Sequence, residues 1–205
     1  MTRRSLVLAL LAPKGEWTSL FDGKTSGGWL EVTGGAFPST TWRVEDGCLH
    51  SLKISEGGGF QDIRTQDEFT EFEFEFEWKI ETGGNSGVKY LIDRVNRFAA
   101  KDGTAHARGR GAEYQIADDA ANPDAAKDPK RHCGALYGKI APAAETARRA
   151  GEFNQSKIVV AASRVEHWLN GTKVVEYESA AKRSPIVLQH HNSDTWFRNL
   201  RIRGM

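Results

Sequence analysis

Cysteine is scarce in this chain, with Cys48 and Cys133 alone among 205 residues. Two thiols are too few for a disulfide framework, so free buried thiols are the default and a single bridge is the alternative. An excess of charge of one sign is also missing. The formal net charge of +1 projects no strong field, which argues against nucleic acid or an anionic membrane as partner. No apolar run is long enough to span a bilayer. Familiar catalytic signatures are absent too: no GxSxG elbow, HExxH, CxxC pair, P-loop or Rossmann glycine pattern occurs. No internal repeat or linker divides the chain. Its length fits one domain with a proper core and leaves the oligomeric state open.

Aromatic residues, in contrast, are plentiful, with six Trp and ten Phe. Such rings serve cores and sugar-stacking surfaces alike, and their number does not separate the two. The N-terminus has a basic head, Met1-Thr2-Arg3-Arg4, and a short apolar run from Ser5 to Ala12. That is how a secretory signal begins, but Pro13-Lys14-Gly15-Glu16-Trp17 follows with no small-x-small cleavage site. Residues 1–14 are set aside as a short or degenerate export segment, the alternative being a simple tail. A periplasmic or secreted location is expected, with residues 15–205 as one domain.

Periodicity in that domain is two almost everywhere. Phe72, Phe74, Phe76, Trp78 and Ile80 alternate with Glu73, Glu75, Glu77 and Lys79, which predicts an antiparallel strand with an aromatic core face and a solvated acidic face. Asp46-Gly47 and Asn170-Gly171 are two-residue hairpin turns between strand-like arms. His50 and His167 fall in such arms and are expected to pack or to bond a neighbouring strand. Residues 94–111 are basic and aperiodic and read as a loop. Arg94, Arg97, Arg108 and Arg110 there either clamp an anionic or polyhydroxyl ligand or are simply solvated. The run 143–150 allows one short helical turn. About a dozen short strands with regular turns and little helix indicate an all-β jelly-roll sandwich of two antiparallel sheets.

Most of the chemistry-bearing residues lie between Ala112 and Gly138. In an extended segment Glu113 and Gln115 share a face, while Tyr114 and Ile116 face the other way. A polar loop with Asp118, Asp119, Asn122 and Asp124 returns through His132 and Cys133 to Gly134-Ala135-Leu136-Tyr137. Far along the chain, Gln189 and His191 form a second polar pair at the same spacing, with His190 on the opposite side. Two such pairs imply one polar concave surface if their strands are neighbours.

The motifs LFDGKTSGGW, WRVEDGCLH, FEFEFEWKI followed by GGNSGVKY, EYQIADD, DPKRHCGALYG, VEHWLNGTKVVEY and LQHHNSDTWFRNLRI run in order through residues 16–205. As a set they resemble the 3-keto-disaccharide hydrolase family. The resemblance implies a concanavalin A-like sandwich, export, and action on sugars oxidised at C3. It places Asn85 in the NSG motif, Glu113 and Gln115 in EYQ, Tyr137 in GALY, and Gln189 and His191 in LQ-x-H. The chain departs from the family pattern at Gly138 and His190 and has a short segment between Tyr177 and Pro185.

A C3 ketone acidifies the proton on C2. Its removal lets the C1 substituent leave by elimination, and water adds back to give net hydrolysis. That chemistry needs a base near the working pH, a group that stabilises the enediolate, and an acid for the leaving oxygen. His191 is the first candidate as base or metal ligand, because imidazole titrates near neutrality. Glu113 is the alternative in either role. Gln115, Gln189 and Asn85 would hold hydroxyls, Tyr137 would serve as acid or stacking platform, and His132 is held in reserve. One divalent cation bound by His and carboxylate is compatible with this set, though no spacing demands it. The runner-up reading is a non-catalytic carbohydrate-binding module. A two-carboxylate glycosidase ranks third, since it needs paired acids in one cleft.

Overall fold

The computed structural model describes residues 15–54, 60–99, 103 and 105–205; the export-type segment 1–14 lies outside them. The described strands are β1 (Thr18–Ser19), β2 (Trp29–Glu31), β3 (Trp42–Glu45), β4 (Cys48–Ser51), β5 (Ile63–Thr65), β6 (Phe72–Ile80), β7 (Asn85–Ala99), β8 (Ala105–Ala117), β9 (Asn154–Ala161), β10 (Arg164–Leu169), β11 (Thr172–Glu178), β12 (Val187–Leu188) and β13 (Thr195–Gly204). They form an 8-stranded sheet ordered β11-β10-β9-β6-β13-β4-β3, with β1 on β13, and a 5-stranded sheet ordered β2-β5-β12-β7-β8. The strands pair antiparallel throughout. Short 3-10 turns occur at Ala125–Lys127 and Pro129–Arg131. The stretch 143–150 is irregular instead of helical. No helix among the described residues is long and apolar enough to cross a membrane.

The core lies between the sheets. Strand β6 contributes Phe72, Phe74, Phe76, Trp78 and Ile80, all buried, against Tyr90, Tyr114, Ile116 and Leu188 of the smaller sheet. Each such side chain adds about 1.5–3 kcal/mol by leaving water. Both predicted hairpin turns have positive φ at their central residues: 50° and 72° at Asp46-Gly47, 49° and 84° at Asn170-Gly171. That is the type I′ geometry whose twist suits the flanking strands. Cys48 and Cys133 are free and buried. His50 and His167 are buried in their strands, and His167 bonds Tyr90 Oη and the Gly134 carbonyl.

Two expectations need correction. The acidic face of β6 is not left to water. Register sets Glu73, Glu75 and Glu77 opposite Arg203, Arg201 and Arg198 of β13, and each carboxylate pairs with its arginine. Glu73 is buried and also bonds Lys157 at 3.0 Å. Burial opposes its charge, but Arg203 and Lys157 outweigh that and hold its pKa below the ordinary carboxylate value. Of the stretch 94–111, the described residues 94–99 and 105–111 are strand instead of loop. They extend the β7–β8 hairpin, with Arg94 opposite Arg110 and Phe98 opposite His106. Backbone ladders need no side-chain alternation, and the 94–99 arm, wetted on both faces, leaves none to read.

Candidate functional site

Three neighbouring segments build one polar wall on the outer face of the smaller sheet. On β7, Val88 and Tyr90 point into the core, so Asn85, Gly87 and Lys89 point outward. On β8 the same alternation buries Tyr114 and Ile116 and turns Glu113 and Gln115 out. Register places Glu113 opposite Lys89 and Gln115 opposite Gly87. On the other side of β7, Val187 pairs with Lys89. The ladder of β12 stops at Leu188, yet Gln189 N donates to Gly87 O at 2.9 Å, and Ser86 Oγ donates to Gln189 O at 2.8 Å. The extended path thus continues, and Gln189 and His191 face the wall while His190 turns inward.

Gly87 makes room for this arrangement. A Cβ at that position would lie 2.9 Å from Glu113 Oε1 and 3.2 Å from its Cγ. Next to the wall, a bulge interrupts β7 and β8 between Tyr90 and Arg94. Leu91 adopts a φ of 50° there, and a Cβ on Gly111 would sit 2.4 Å from the Tyr90 carbonyl. Bulges of this kind re-aim strands beside active sites. The result is a pocket of about 320 Å³ whose lining includes Asn85, Glu113, Tyr137, Gln189 and His191, together with Lys89, Arg108, Arg110 and Lys139.

The electrostatics centre on Lys89. Its Nζ lies 3.0 Å from Asp62 Oδ2, and both side chains are buried. Asp62 Oδ1 accepts a second bond from His190 N at 3.1 Å. The Arg108 guanidinium lies 4.3 Å from the centre of the Phe60 ring, and Phe60 in turn packs 5.4 Å from His191. Burial raises the pKa of Glu113; the charge of Lys89 opposes the shift and that of Asp62 adds to it. Burial, aided by Arg108, lowers the pKa of His191 to about 4. At neutral pH His191 is therefore an uncharged imidazole, while burial favours the acid form of Glu113 more than in an ordinary carboxylate.

Several polar atoms here have no partner among the described residues: Oε1 of Gln115, Oε1 of Gln189 and Nε of Arg108. Buried polar atoms without protein partners are characteristic of places that bind water or ligand oxygens. Gln115 itself lies beneath the pocket wall, where its Nε2 donates to Asn85 Oδ1 at 3.3 Å. It positions Asn85 instead of lining the pocket.

Of the residues singled out from sequence, the structure brings Asn85, Glu113, Gln115, Tyr137, Gln189 and His191 together. Tyr137 stands half-exposed at the rim, tied by its backbone N to Glu113 O at 3.0 Å. His132 stands apart, its Nε2 donating to Ala125 O at 3.1 Å and its Nδ1 lying 3.4 Å from Glu145. The polar loop 118–133 uses its hydrogen-bonding groups on itself and on the 83–84 turn. Asp118 Oδ2 accepts from Gly83 N, Asn122 Nδ2 donates to the Gly83 and Gly84 carbonyls, and Asp119 Oδ1 accepts from Cys133 N. The return segment 134–137 is held by single bridges and backbone bonds and is not a regular strand.

Sequence reasoning missed Lys89 and Asp62. The available signal was a lysine on the outward parity of the apolar run Val88-Lys89-Tyr90-Leu91, but its buried partner lies 27 residues away. A metal fits poorly. Among the described residues no three His, Cys, Asp or Glu side chains converge. Glu113 and His191 are the pair available, and Lys89, Arg108, Arg110 and Lys139 surround them with charge that repels a cation.

A larger groove of about 740 Å³ lies on the other sheet, between Trp17 and Trp168, and is lined by Glu75 and Arg201. None of the residues picked out from sequence as a site lines it.

Known proteins share this sequence pattern and fold. The family model of the 3-keto-alpha-glucoside-1,2-lyase-like domain matches residues 16–203. A 3-keto-disaccharide hydrolase of Bacteroides thetaiotaomicron is 33% identical, covering 91% of this chain and 78% of its own. A crystal structure from Parabacteroides distasonis, provisionally described as a glycosyl hydrolase, superposes with a TM-score of 0.76 at 25% identity, over 92% of this chain and 94% of that one. The β-glucanase of Bacillus licheniformis, 9% identical with a TM-score of 0.50 over 93% of this chain and 98% of its own, shares the concanavalin A-like fold alone. With that fold, and with the family match running through almost the whole described chain, the protein belongs to the 3-keto-disaccharide hydrolase and 3-keto-alpha-glucoside-1,2-lyase-like enzyme family.

Proposed function

We propose that this chain cleaves 3-keto-glycosides by removing the C2 proton, eliminating the C1 substituent, and hydrating the resulting enone. The observation that carries the reading is a half-buried carboxylate, Glu113, facing the same pocket as Lys89 and Arg108. A base and fixed positive charge are the two elements that α-proton abstraction next to a ketone requires.

In this reading Glu113 takes the proton from C2. The C–H electron pair moves into the C2–C3 bond, and negative charge develops on the C3 oxygen. Lys89 and Arg108 stabilise that oxygen, acting in a partly dry site where such contacts are strong. The charge then returns, the C1–O bond breaks, and the departing oxygen takes up a proton. Glu113, carrying the proton it took from C2, can supply it, and burial that raises its pKa favours that acid form. Water adds at C1 and a proton returns to C2, which completes a net hydrolysis.

The geometry favours Glu113 over His191 as base. A base works best when its pKa lies near the working pH, and burial moves His191 away from it, to about 4. Neutral His191 can accept a bond from a sugar hydroxyl without adding charge. Asn85 and Gln189 provide further hydroxyl contacts, and Tyr137 offers a ring at the mouth. The test is product analysis of purified protein with 3-keto-trehalose or a 3-keto-glucoside, with and without chelator. Release of the C1 substituent supports the proposal. Saturable binding with no release over many hours, even with added divalent metal, would replace it with a carbohydrate-binding role.

A further inference from the structure

The pocket does not end at its rim. A second depression of about 350 Å³ adjoins it and shares Arg110, Gly111, Ala112, Leu136 and Lys139 with it. A keto sugar held against Glu113 would direct its C1 substituent along this shared rim or back into solvent. The rim and the adjoining depression are basic. Arg110 and Lys139 line both hollows, and Arg94 lines the second. Asp93 and Lys182 are also there but pair with each other.

Among the described residues no carboxylate pairs with Arg94, Arg110 or Lys139. Arg94 and Arg110 are moreover direct cross-strand neighbours. Like charges directly opposite each other destabilise a sheet. On the other sheet of this protein each arginine opposite β6 has a glutamate. A chain that pairs its arginines there leaves three cations here without an ion-pair partner among the described residues, around a groove leading from the reactive pocket. The nearby Asp93, whose charge Arg94 and Lys139 also stabilise, is paired to Lys182. The bulge at Leu91–Asp93 brings Arg94 and Arg110 to its edge. Convergent positive charge of this kind concentrates and orients an anionic ligand.

We propose that this adjoining groove receives a leaving group carrying negative charge, a phosphate or a carboxylate, so that the preferred substrates are 3-keto-glycosides with an anionic C1 substituent. This rests on the cleavage chemistry proposed above, and the experiment separates the two. Three substrates share one carbon skeleton: the 3-keto-glucosides of glycerol, of glycerate and of glycerol phosphate. Wild-type kcat/KM at low salt should be about tenfold or more higher for an anionic member than for the neutral one, and the ratio should shrink at high salt. The ordering of glycerate against glycerol phosphate identifies which anion the groove takes. In Arg110→Ala and in Lys139→Gln the ratio should fall toward one.

The same three compounds are titrated calorimetrically into Glu113→Gln protein, where turnover is slowed by about a hundredfold or more and binding heats dominate. If the wild type turns over the neutral compound as well as the charged ones, and Glu113→Gln binds all three alike, the anion proposal is wrong and the cleavage reading stands. A preference that survives both rim substitutions also overturns it. If none of the three is cleaved, the cleavage reading fails, and the binding titration alone decides whether the groove selects anions.

Discussion

The two outer faces of the sandwich carry similar residues and put them to opposite use. On the larger sheet, Glu73, Glu75 and Glu77 meet Arg203, Arg201 and Arg198 in register, and charge is neutralised strand by strand. On the smaller sheet, Lys89 meets Glu113 in register, but Lys89 pairs instead with Asp62. Glu113 is left facing a pocket, and polar atoms of Gln115, Gln189 and Arg108 have no partners among the described residues. The larger groove lies over the neutralised face, the smaller pocket over the unneutralised one. Unspent polar capacity, more than volume, distinguishes the two as sites.

The sharpest way to break this comparison is to remove one cation from each face. Lys89→Met strands Asp62 as a buried charge and should cost about 3–5 kcal/mol of stability. Arg201→Met, at a half-exposed pair, should cost only about 0–1 kcal/mol, less still at high salt. Urea unfolding of both variants measures the difference. Equal costs would mean that the faces are not electrostatically distinct.

Next in size is the loss of the proposed base. Glu113→Gln should lower kcat on a 3-keto-glycoside by about a hundredfold or more. Its stability should move the other way. Because folding raises the Glu113 pKa, this group stabilises the fold below its unfolded pKa, and that contribution is lost as pH rises through the folded value. Glutamine mimics the protonated form, so the variant should be more stable than wild type at neutral pH, and the advantage should vanish below the ordinary carboxylate range. Wild-type kcat/KM should correspondingly rise with pH through an acid limb above that range.

Gly87→Ala tests the room beneath the base. The new Cβ would press on Oε1 of Glu113, and a displaced catalytic group can lose up to about a hundredfold in rate. Binding should change less than kcat, since backbone pairing at Gly87 is untouched. A further test is acid stability. Burial lowers the pKa of His167 and of His191 to about 4 and lowers that of His190. Their contributions are present above the unfolded value near 6.5 and are lost as pH falls through the folded values. Denaturation midpoints should decline between pH 6.5 and 4, and His191→Asn should make that decline shallower.

Much of this protein was legible from residue order alone. Alternation marked β6 and its buried aromatic face, and positive-φ turn pairs marked two hairpins, because strand parity and turn geometry are local properties. The same parity grouped Glu113 with Gln115 and Gln189 with His191. The ordered motifs pointed to the family. Register between distant strands was not legible, and it decided the rest. It converted an apparently solvated glutamate row into an ion-pair ladder with β13, and an aperiodic basic stretch into a hairpin arm. It set Lys89 over a buried Asp62 and beside Glu113. It also left His132 to brace a loop. Burial then changed the chemistry of the groups it gathered, moving the Glu113 and His191 pKa values in opposite directions. Side-chain identity sets what a group can do, but desolvation and the charges around it set which protonation state it holds, and these follow from tertiary packing.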